Sequence, residues 1–338
     1  MRRFAPLAPW ILVTAAACTQ GGDGDFDFEG QTAATAAATM TSPATSSATS
    51  SGTDVTGTDQ TTDVPTTTTG PEPSSDTSGD GEASTTEVVP TEPCTSLDVL
   101  VVVDNSDTMA EEHARLNAAL NPFLAQLNQQ LPGVLGSIHI AVITTDVPEF
   151  VTATPAATCT PYASAANWMS FGPMLSVELA CAVAVGTAGD PDERPMQMAI
   201  EALSSELTGP AGFNEGFLRE QGPLLLIIAT DEEDDFEVET EWGSVGDPAA
   251  WVDALAATQS DHVQDVIPLV LVGIDKPNAC PDYQWNGLDG AQLAPRLAEF
   301  ATSFPHHGVG DLCAVEYTTF LNAALPEVVE ACNAWVPE

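Results

Sequence analysis

The sequence predicts an α/β fold: a doubly wound, mostly parallel sheet flanked by helices and preceded by a disordered stalk. Three observations support this class. Between residues 94 and 338, short apolar runs alternate with segments of helical period, which is typical of buried parallel strands covered by helices. Residues 18–93 contain few large apolar side chains. The first 17 residues have the layout of an export signal.

The segment 1–17 is interpreted as a signal peptide. Arg2 and Arg3 precede an apolar run that is too short and too interrupted by proline to span a bilayer. Its end, TAAAC, allows two interpretations: cleavage after Ala17 by a general signal peptidase, or lipidation of Cys18. TAAAC resembles the lipobox of bacterial lipoproteins, although Ala15 stands where those proteins usually have leucine. The resemblance implies that the protein is exported and that a lipid on Cys18 anchors it in the outer membrane.

The segment 18–93 is predicted to be a disordered stalk that carries the anchor. It consists largely of Ser, Thr, Gly, Ala, Pro, Asp and Glu. Such a segment cannot bury enough apolar surface to offset the conformational entropy that folding costs. A flexible chain of this length has a root-mean-square span of roughly 45–50 Å.

The chain is strongly acidic, with 49 Asp and Glu residues against 7 Lys and Arg residues and a formal net charge of −42. Nucleic acid and anionic membrane surfaces are therefore poor partners, and contact with the membrane is expected only through the lipid anchor. For the bulk of the charge, solubility is the favoured explanation. The alternative is affinity for divalent cations or basic partners.

The cysteine count predicts disulfides. Of the seven cysteines, six remain when Cys18 is set aside, and an even set in an exported chain indicates disulfide bonds. Six cysteines allow 15 pairings, and the sequence alone does not choose among them. Neighbourhood in the chain favours two local pairs and one pair that joins the two ends of the folded domain. These pairs are Cys159–Cys181, Cys280–Cys313 and Cys94–Cys332.

Nine segments of the folded domain carry strand or helix patterns. Four apolar runs predict buried strands: Leu97–Val103, SIHIAVITTD at 137–146, PLLLIIATDEEDD from 223, and VIPLVLVGID at 266–275. Five segments with apolar side chains at helical spacing predict helices. They cover 110–131, 193–207, 248–258, 290–304 and 318–335, the last broken near Pro326.

Acidic and hydroxyl side chains stand where two of these strands end. Asp104 follows the run VVV and Asp231 follows the run LLLIIAT. Ligands of parallel sheets bind beyond the carboxyl ends of the strands, so both carboxylates meet at one edge if the two strands are neighbours. Ser106 and Thr108 add hydroxyls two and four residues after Asp104. Oxygen ligands of this kind suit Mg²⁺.

The segment DNSDTM at 104–109 resembles the Asp-x-Ser-x-Ser signature of von Willebrand factor type A domains. Two later segments resemble the remaining motifs of that family in the same order: VGTAGDPDERPMQMAIEAL at 185–203 and LLLIIATDEEDD at 224–235. The resemblance covers about residues 96–335. It implies a metal-ion-dependent adhesion site (MIDAS) in which five side chains hold Mg²⁺, or Ca²⁺ or Mn²⁺, directly or through water. These are Asp104, Ser106, Thr108, Thr187 and Asp231.

Two positions depart from the family pattern. Thr108 stands where Ser is usual and keeps the hydroxyl. Asp107 stands where Gly is usual. Its charge either tightens cation binding and favours Ca²⁺, or its side chain strains a turn that Gly makes easily. A structural alternative to the metal site is that Ser106 or Asp107 caps the following helix, but capping needs no matching acid at Asp231.

The resemblance implies that a carboxylate of an extracellular protein or polysaccharide fills an open position on the ion. The predicted function is therefore divalent-metal-dependent adhesion or ligand binding outside the cell. One alternative is an envelope lipoprotein whose domain is a metal-free scaffold, and a third is a metal-assisted hydrolase. An enzyme is not expected, because Ser106 lacks a Gly-x-Ser-x-Gly turn and His113 is predicted to lie too far away. The acidic run 231–241 predicts a solvated loop with only Asp231 facing the site.

Overall fold

The computed structural model describes residues 94–336 except 132, 135–136, 220, 236–241, 276–277, 279 and 281–290. These residues fall in the unit Glu82–Glu338, the second of two into which the chain divides. The predicted signal peptide, Cys18 and the stalk lie outside the described residues. Within the described ranges, no helix is long and apolar enough to cross a membrane.

The sheet has six strands in the described part of the chain. They are β1 (Leu97–Val103), β2 (Ile138–Thr144), β3 (Met169–Ser170), β4 (Leu224–Ala229), β5 (Val266–Val272) and β6 (Gly308–Asp311). Their order is β3-β2-β1-β4-β5-β6. Every neighbouring pair is parallel except β2 with β3, which is antiparallel. The predicted mostly parallel sheet is confirmed.

Helices cover both faces of the sheet. They are α1 (Ala110–Gln130), α2 (Leu175–Ala182), α3 (Pro195–Ala202), α4 (Ser205–Thr208), α5 (Pro248–Ala257), α6 (Pro295–Thr302) and α7 (Thr318–Ala334). Helices α1, α2 and α7 contribute to the apolar core on one face, whereas α3, α5 and α6 contribute to the core on the other. The predicted α/β class with flanking helices is therefore confirmed.

Double coverage explains why the strands are continuous apolar runs. All seven residues of β1 are buried. Val99 and Val101 belong to the core beside α1 and α7, and Leu100 and Val102 belong to the opposite core. A strand with water on one face would alternate apolar and polar residues instead. The sequence pattern of β1 therefore follows from its central place in the sheet.

One buried acid in β1 is paired. Asp98 receives hydrogen bonds on Oδ1 from Nε and Nη2 of Arg219, at 2.8 and 2.6 Å, and on Oδ2 from the Arg219 amide at 2.7 Å. Burial raises the pKa of Asp98 to about 7, and the Arg219 charge opposes the rise. This pair lies near the amino end of β1, away from the acids that follow the strand.

Several predicted boundaries were wrong. The segment 193–207 divides into α3 and α4, and the helix expected from 290 begins at Pro295. Helix α7 continues through Pro326 to Ala334, because burial of Leu325 and Val328 against the core offsets the backbone hydrogen bond that proline cannot donate.

Two strands and one helix were not predicted. Strand β3 has two residues, β6 reads GVGD, and α2 has eight residues, so none carries a long apolar period. The glycines of β6 allow close packing: a Cβ on Gly310 would come within 2.7 Å of the Phe320 ring. Tertiary packing, which a local pattern does not show, fixes these elements.

The three predicted disulfides are present. Cys94–Cys332 joins the two ends of the domain, and the Cys94 amide also donates to the Cys332 carbonyl at 2.8 Å. The two local pairs, Cys159–Cys181 and Cys280–Cys313, close 22 and 33 residues of sequence. Three disulfides indicate an exported protein, because thiols stay reduced in the cytosol.

Loss of the long-range disulfide should cost more stability than loss of a local one. It closes a separation of 238 residues against 22 for Cys159–Cys181, and the chain-entropy relation gives about 5 kcal/mol against about 3 kcal/mol. We expect the double variant Cys94→Ala/Cys332→Ala to unfold at lower urea concentration than Cys159→Ala/Cys181→Ala. Equal midpoints in equilibrium unfolding would contradict this ordering.

Candidate metal centre

The candidate site lies where the order of the strands reverses. From β1 the chain continues outward through β2 and β3 on one side, and later through β4, β5 and β6 on the other. Val103 pairs with Thr144 of β2 and with Ala229 of β4, so the three strands end level. The residues that follow β1 and β4 therefore share one crevice at the carboxyl edge, which is the usual ligand position in such sheets.

Asp104 is fully buried in this crevice and held by two donors. The Ser106 amide donates to Oδ1 at 2.8 Å, and the Thr230 hydroxyl donates to Oδ2 at 2.7 Å. A carboxylate oxygen has two lone pairs, so each oxygen keeps one for a further contact. These two hydrogen bonds therefore orient Asp104 and leave each of its oxygens able to accept another contact.

Three further predicted residues converge on Asp104. The hydroxyls of Ser106 and Thr108 lie 3.2 Å apart. The Asp231 carboxyl lies beside the Thr108 hydroxyl and the Asp104 carboxyl, and its Oδ1 has no hydrogen-bond partner. Burial, and then the Asp104 charge, raise the pKa of Asp231. The structure thus brings together four of the five predicted side chains.

In the described regions, no hydrogen bond joins Thr187 to the other four predicted site residues, and Thr187 is partly exposed. Its loop does approach them: the Gly189 amide donates to the Asn105 carbonyl at 2.8 Å. On its other side, a Cβ on Gly186 would lie 2.9 Å from Pro155. Thr187 therefore lies near the site, on a loop that Asn105 and Pro155 position.

The helix-cap alternative is wrong. The N-cap of α1 is Met109, and no side chain makes a capping hydrogen bond there. Asp107 is exposed and does not have a positive φ, so it does not strain the turn in the way that a glycine-specific conformation would. The polar side chains of this loop are therefore not explained by helix capping.

Glu193 is a site residue that the sequence analysis missed. It precedes α3, is 3% exposed, and has no hydrogen-bond partner on either carboxylate oxygen. Burial, and then the Asp104 charge, raise the pKa of Glu193. In the sequence it belongs to the acidic run DPDE, and nothing in that run distinguishes Glu193 from the two aspartates.

The prediction of a solvated acidic loop after Asp231 was wrong for its described part. Glu233 and Asp234 are buried. Glu233 accepts hydrogen bonds from the Arg296 and Leu297 amides at the start of α6, at 2.7 and 3.2 Å. Asp234 accepts one from the Met196 amide of α3 at 3.1 Å. Both acids therefore accept hydrogen bonds from first-turn amides that have no partner within the helix, and negative charge is stabilising at a helix N-terminus.

His113 of α1 contacts the loop after β1. Its Nε2 is 2.6 Å from the Asp104 backbone oxygen. A carbonyl oxygen only accepts hydrogen bonds, so Nε2 carries a proton and donates it there. His113 thus supports the loop after β1, and the nitrogen that faces the loop is not available as a base.

The four described arginines have partners other than Asp104, Glu193 and Asp231. Arg115 pairs with Glu111 and Glu112, Arg194 with Asp192, and Arg219 with Asp98. Arg296 donates to the carbonyls of Asp234 and Gly246 and stacks on Trp251. Among the described residues, no salt bridge therefore neutralises the crevice.

The donor set fits a hard cation. It consists of two carboxylates and two hydroxyls, and the unpartnered Oδ1 of Asp231 is a buried acceptor that lacks a donor. Oxygen donors with additional waters are what Mg²⁺ and Ca²⁺ take. Within the described ranges, no three His, Cys, Asp or Glu side chains are close enough to hold one ion together, so the hydroxyls and water must supply the remaining positions.

No family model matches the chain, and no curated protein matches it. Among solved structures, proximal thread matrix protein 1 from the mussel byssus is similar, with a TM-score of 0.40 and 12% identity over 71% of this chain and 49% of that one. The pilus adhesin SpaC from Lactobacillus rhamnosus GG gives a TM-score of 0.38 and 11% identity over 71% of this chain and 31% of that one. This chain thus covers half or less of their length.

Replacing one of the buried acids should stabilise the metal-free domain. Asp231→Asn replaces a carboxyl whose ionised form burial and the Asp104 charge disfavour, and we expect a gain of about 1–2 kcal/mol in unfolding free energy with chelator present. The matched control is Asp235→Asn, in the same loop but exposed, which should change stability by less than about 0.5 kcal/mol. Urea unfolding in EDTA measures both, and a destabilised Asp231→Asn would contradict the repulsion.

Proposed function

We propose that this chain is an exported lipoprotein whose folded part is a von Willebrand factor type A domain that binds an extracellular ligand through a divalent cation. The observation that supports this most is the meeting of Asp104 and Asp231 at the switch point of the sheet, with the hydroxyls of Ser106 and Thr108 beside them. Thr187 is the remaining family position, on the adjacent loop.

Each residue has a distinct task in this proposal. Asp104 and Asp231 supply the negative charge that attracts the cation. Ser106 and Thr108 supply neutral oxygens, and Thr230 fixes the rotamer of Asp104 through the hydrogen bond at 2.7 Å. A bound Mg²⁺, Ca²⁺ or Mn²⁺ offers an electrophilic position to a ligand oxygen. The side chains need only hold position, so the proposal includes no catalytic step.

The proposed partner is an extracellular protein or polysaccharide that presents a carboxylate. Contacts that involve an ionised group are stronger than neutral ones, so one acidic group on the partner would contribute much of the specificity. The high negative charge of the chain opposes unspecific attachment to acidic polymers. Binding is therefore expected to depend on the cation.

Titration calorimetry with Mg²⁺, Mn²⁺ and Ca²⁺ tests the function. We expect saturable binding of at least one ion to the purified chain, and a loss on the order of 100-fold in Asp104→Ala, because that variant removes a charged ligand. Asp253→Ala on α5 makes the same charge change at an exposed position and should bind as the wild type does. Absence of binding heat with all three ions would instead favour the alternative function, an envelope lipoprotein whose domain is a metal-free scaffold.

Mass spectrometry of the mature N-terminus tests the proposed anchor. We expect Cys18 to be the first residue and to carry acyl chains, and the Cys18→Ala variant to be released in unlipidated form. An unmodified wild-type chain that begins at Cys18 would instead favour cleavage by a general signal peptidase after Ala17. That result would leave the proposed cation site untouched.

A further inference from the structure

Glu193 differs from the other buried acids of the described regions. Glu112 and Glu178 also have one unpartnered oxygen, but the other oxygen of each accepts a hydrogen bond, from Arg115 and from the Ala163 amide respectively. In Glu193 both oxygens lack a partner, at 3% exposure. A buried carboxylate without donors is costly, so this arrangement points to a missing partner.

The neighbours of Glu193 place it at the same crevice. The Thr145 hydroxyl, which follows β2, lies beside its carboxyl but donates to Asn105 Oδ1 at 3.3 Å. Asn105 directly follows Asp104 in the chain. Among the neighbouring charges, Asp104 raises the pKa of Glu193 most, ahead of Asp146. Glu193 therefore faces the loop after β1, as Asp231 does.

Protein cations do not neutralise Glu193. The adjacent Arg194 directs its Nε to Asp192 at 3.5 Å, and no salt bridge in the described part of the chain involves Asp104, Glu193 or Asp231. Three buried carboxylates thus converge without a basic partner. Either protons or an external cation must compensate their charge.

We propose that Glu193 is the third acid of the cation site and that it acts on the cation through a water of its hydration shell. This inference rests on the function proposed above. Action through water follows because no three acidic side chains of the described regions are close enough to hold one ion directly. The water supplies the hydrogen-bond donors that both oxygens of Glu193 lack.

This arrangement makes opposite predictions for the free and the loaded domain. Without a cation, burial and the Asp104 charge disfavour the ionised form of Glu193, so this carboxyl destabilises the fold. With a cation, the Glu193 charge attracts the ion across a short distance, and attraction in a buried site is screened less than at the surface. If Glu193 had only a structural role, its replacement would not stabilise the free domain and weaken cation binding at the same time.

The test compares Glu193→Gln with the wild type in the full chain. We expect Ca²⁺ and Mn²⁺ to bind about tenfold more weakly in calorimetry, and the melting temperature in EDTA to rise. The matched control is Glu201→Gln on α3, an exposed acid that accepts a hydrogen bond from Gln197 at 2.9 Å. It makes the same charge change on the helix that follows Glu193 and should alter neither value.

A second variant separates charge from shape. Glu193→Asp keeps the charge and should retain most of the affinity, and a loss as large as in Glu193→Gln would overturn the inference. A Glu193→Gln variant that binds as tightly as the wild type, or that is less stable in EDTA, would also overturn it. In each of these cases a binding wild type leaves the proposed function standing. A wild type that binds none of Mg²⁺, Mn²⁺ and Ca²⁺ removes both.

Discussion

The repulsion among buried acids at the carboxyl edge is the constraint on which the rest of the structure depends. Strands β1 and β4 end level because Val103 pairs with Ala229, so Asp104 and Asp231 have to meet. Sheet geometry fixes their positions, and separating the carboxylates would require a shift of register that exposes an apolar face. The site is therefore built from the most rigid part of the domain.

The remainder of the domain offsets this local cost. The central strands are apolar on both faces, helices cover both, and Cys94–Cys332 ties the chain ends together. The loop after β1 is held by several donors, among them the His113 ring on the Asp104 carbonyl. Sites that bind charged ligands often break local stability rules which the surrounding scaffold then compensates. Here the scaffold is a sheet with little freedom to relax.

The sequence predicts the parts of this molecule that depend on period and neighbourhood. Long apolar runs predicted strands β1, β2, β4 and β5. The ends of β1 and β4 then indicated Asp104 and Asp231 as site residues. Short elements such as β6 have no period to detect. The burial of Glu193 depends on how its loop folds back towards Asn105, a contact between distant segments. Local sequence therefore indicated which strands end in acid, but not which acid of DPDE turns inward.

Burial alone does not identify a functional acid in this domain. Asp98, Glu233 and Asp234 are buried as Glu193 is, yet each accepts hydrogen bonds from arginine or backbone donors. Those acids are satisfied within the chain and contribute to its structure. Asp231 keeps one oxygen and Glu193 keeps both without a donor, and both residues belong to the crevice where the strand order reverses. Unmet hydrogen-bonding capacity, combined with position in the sheet, thus separates the acids that stabilise the fold from the acids of the candidate metal centre.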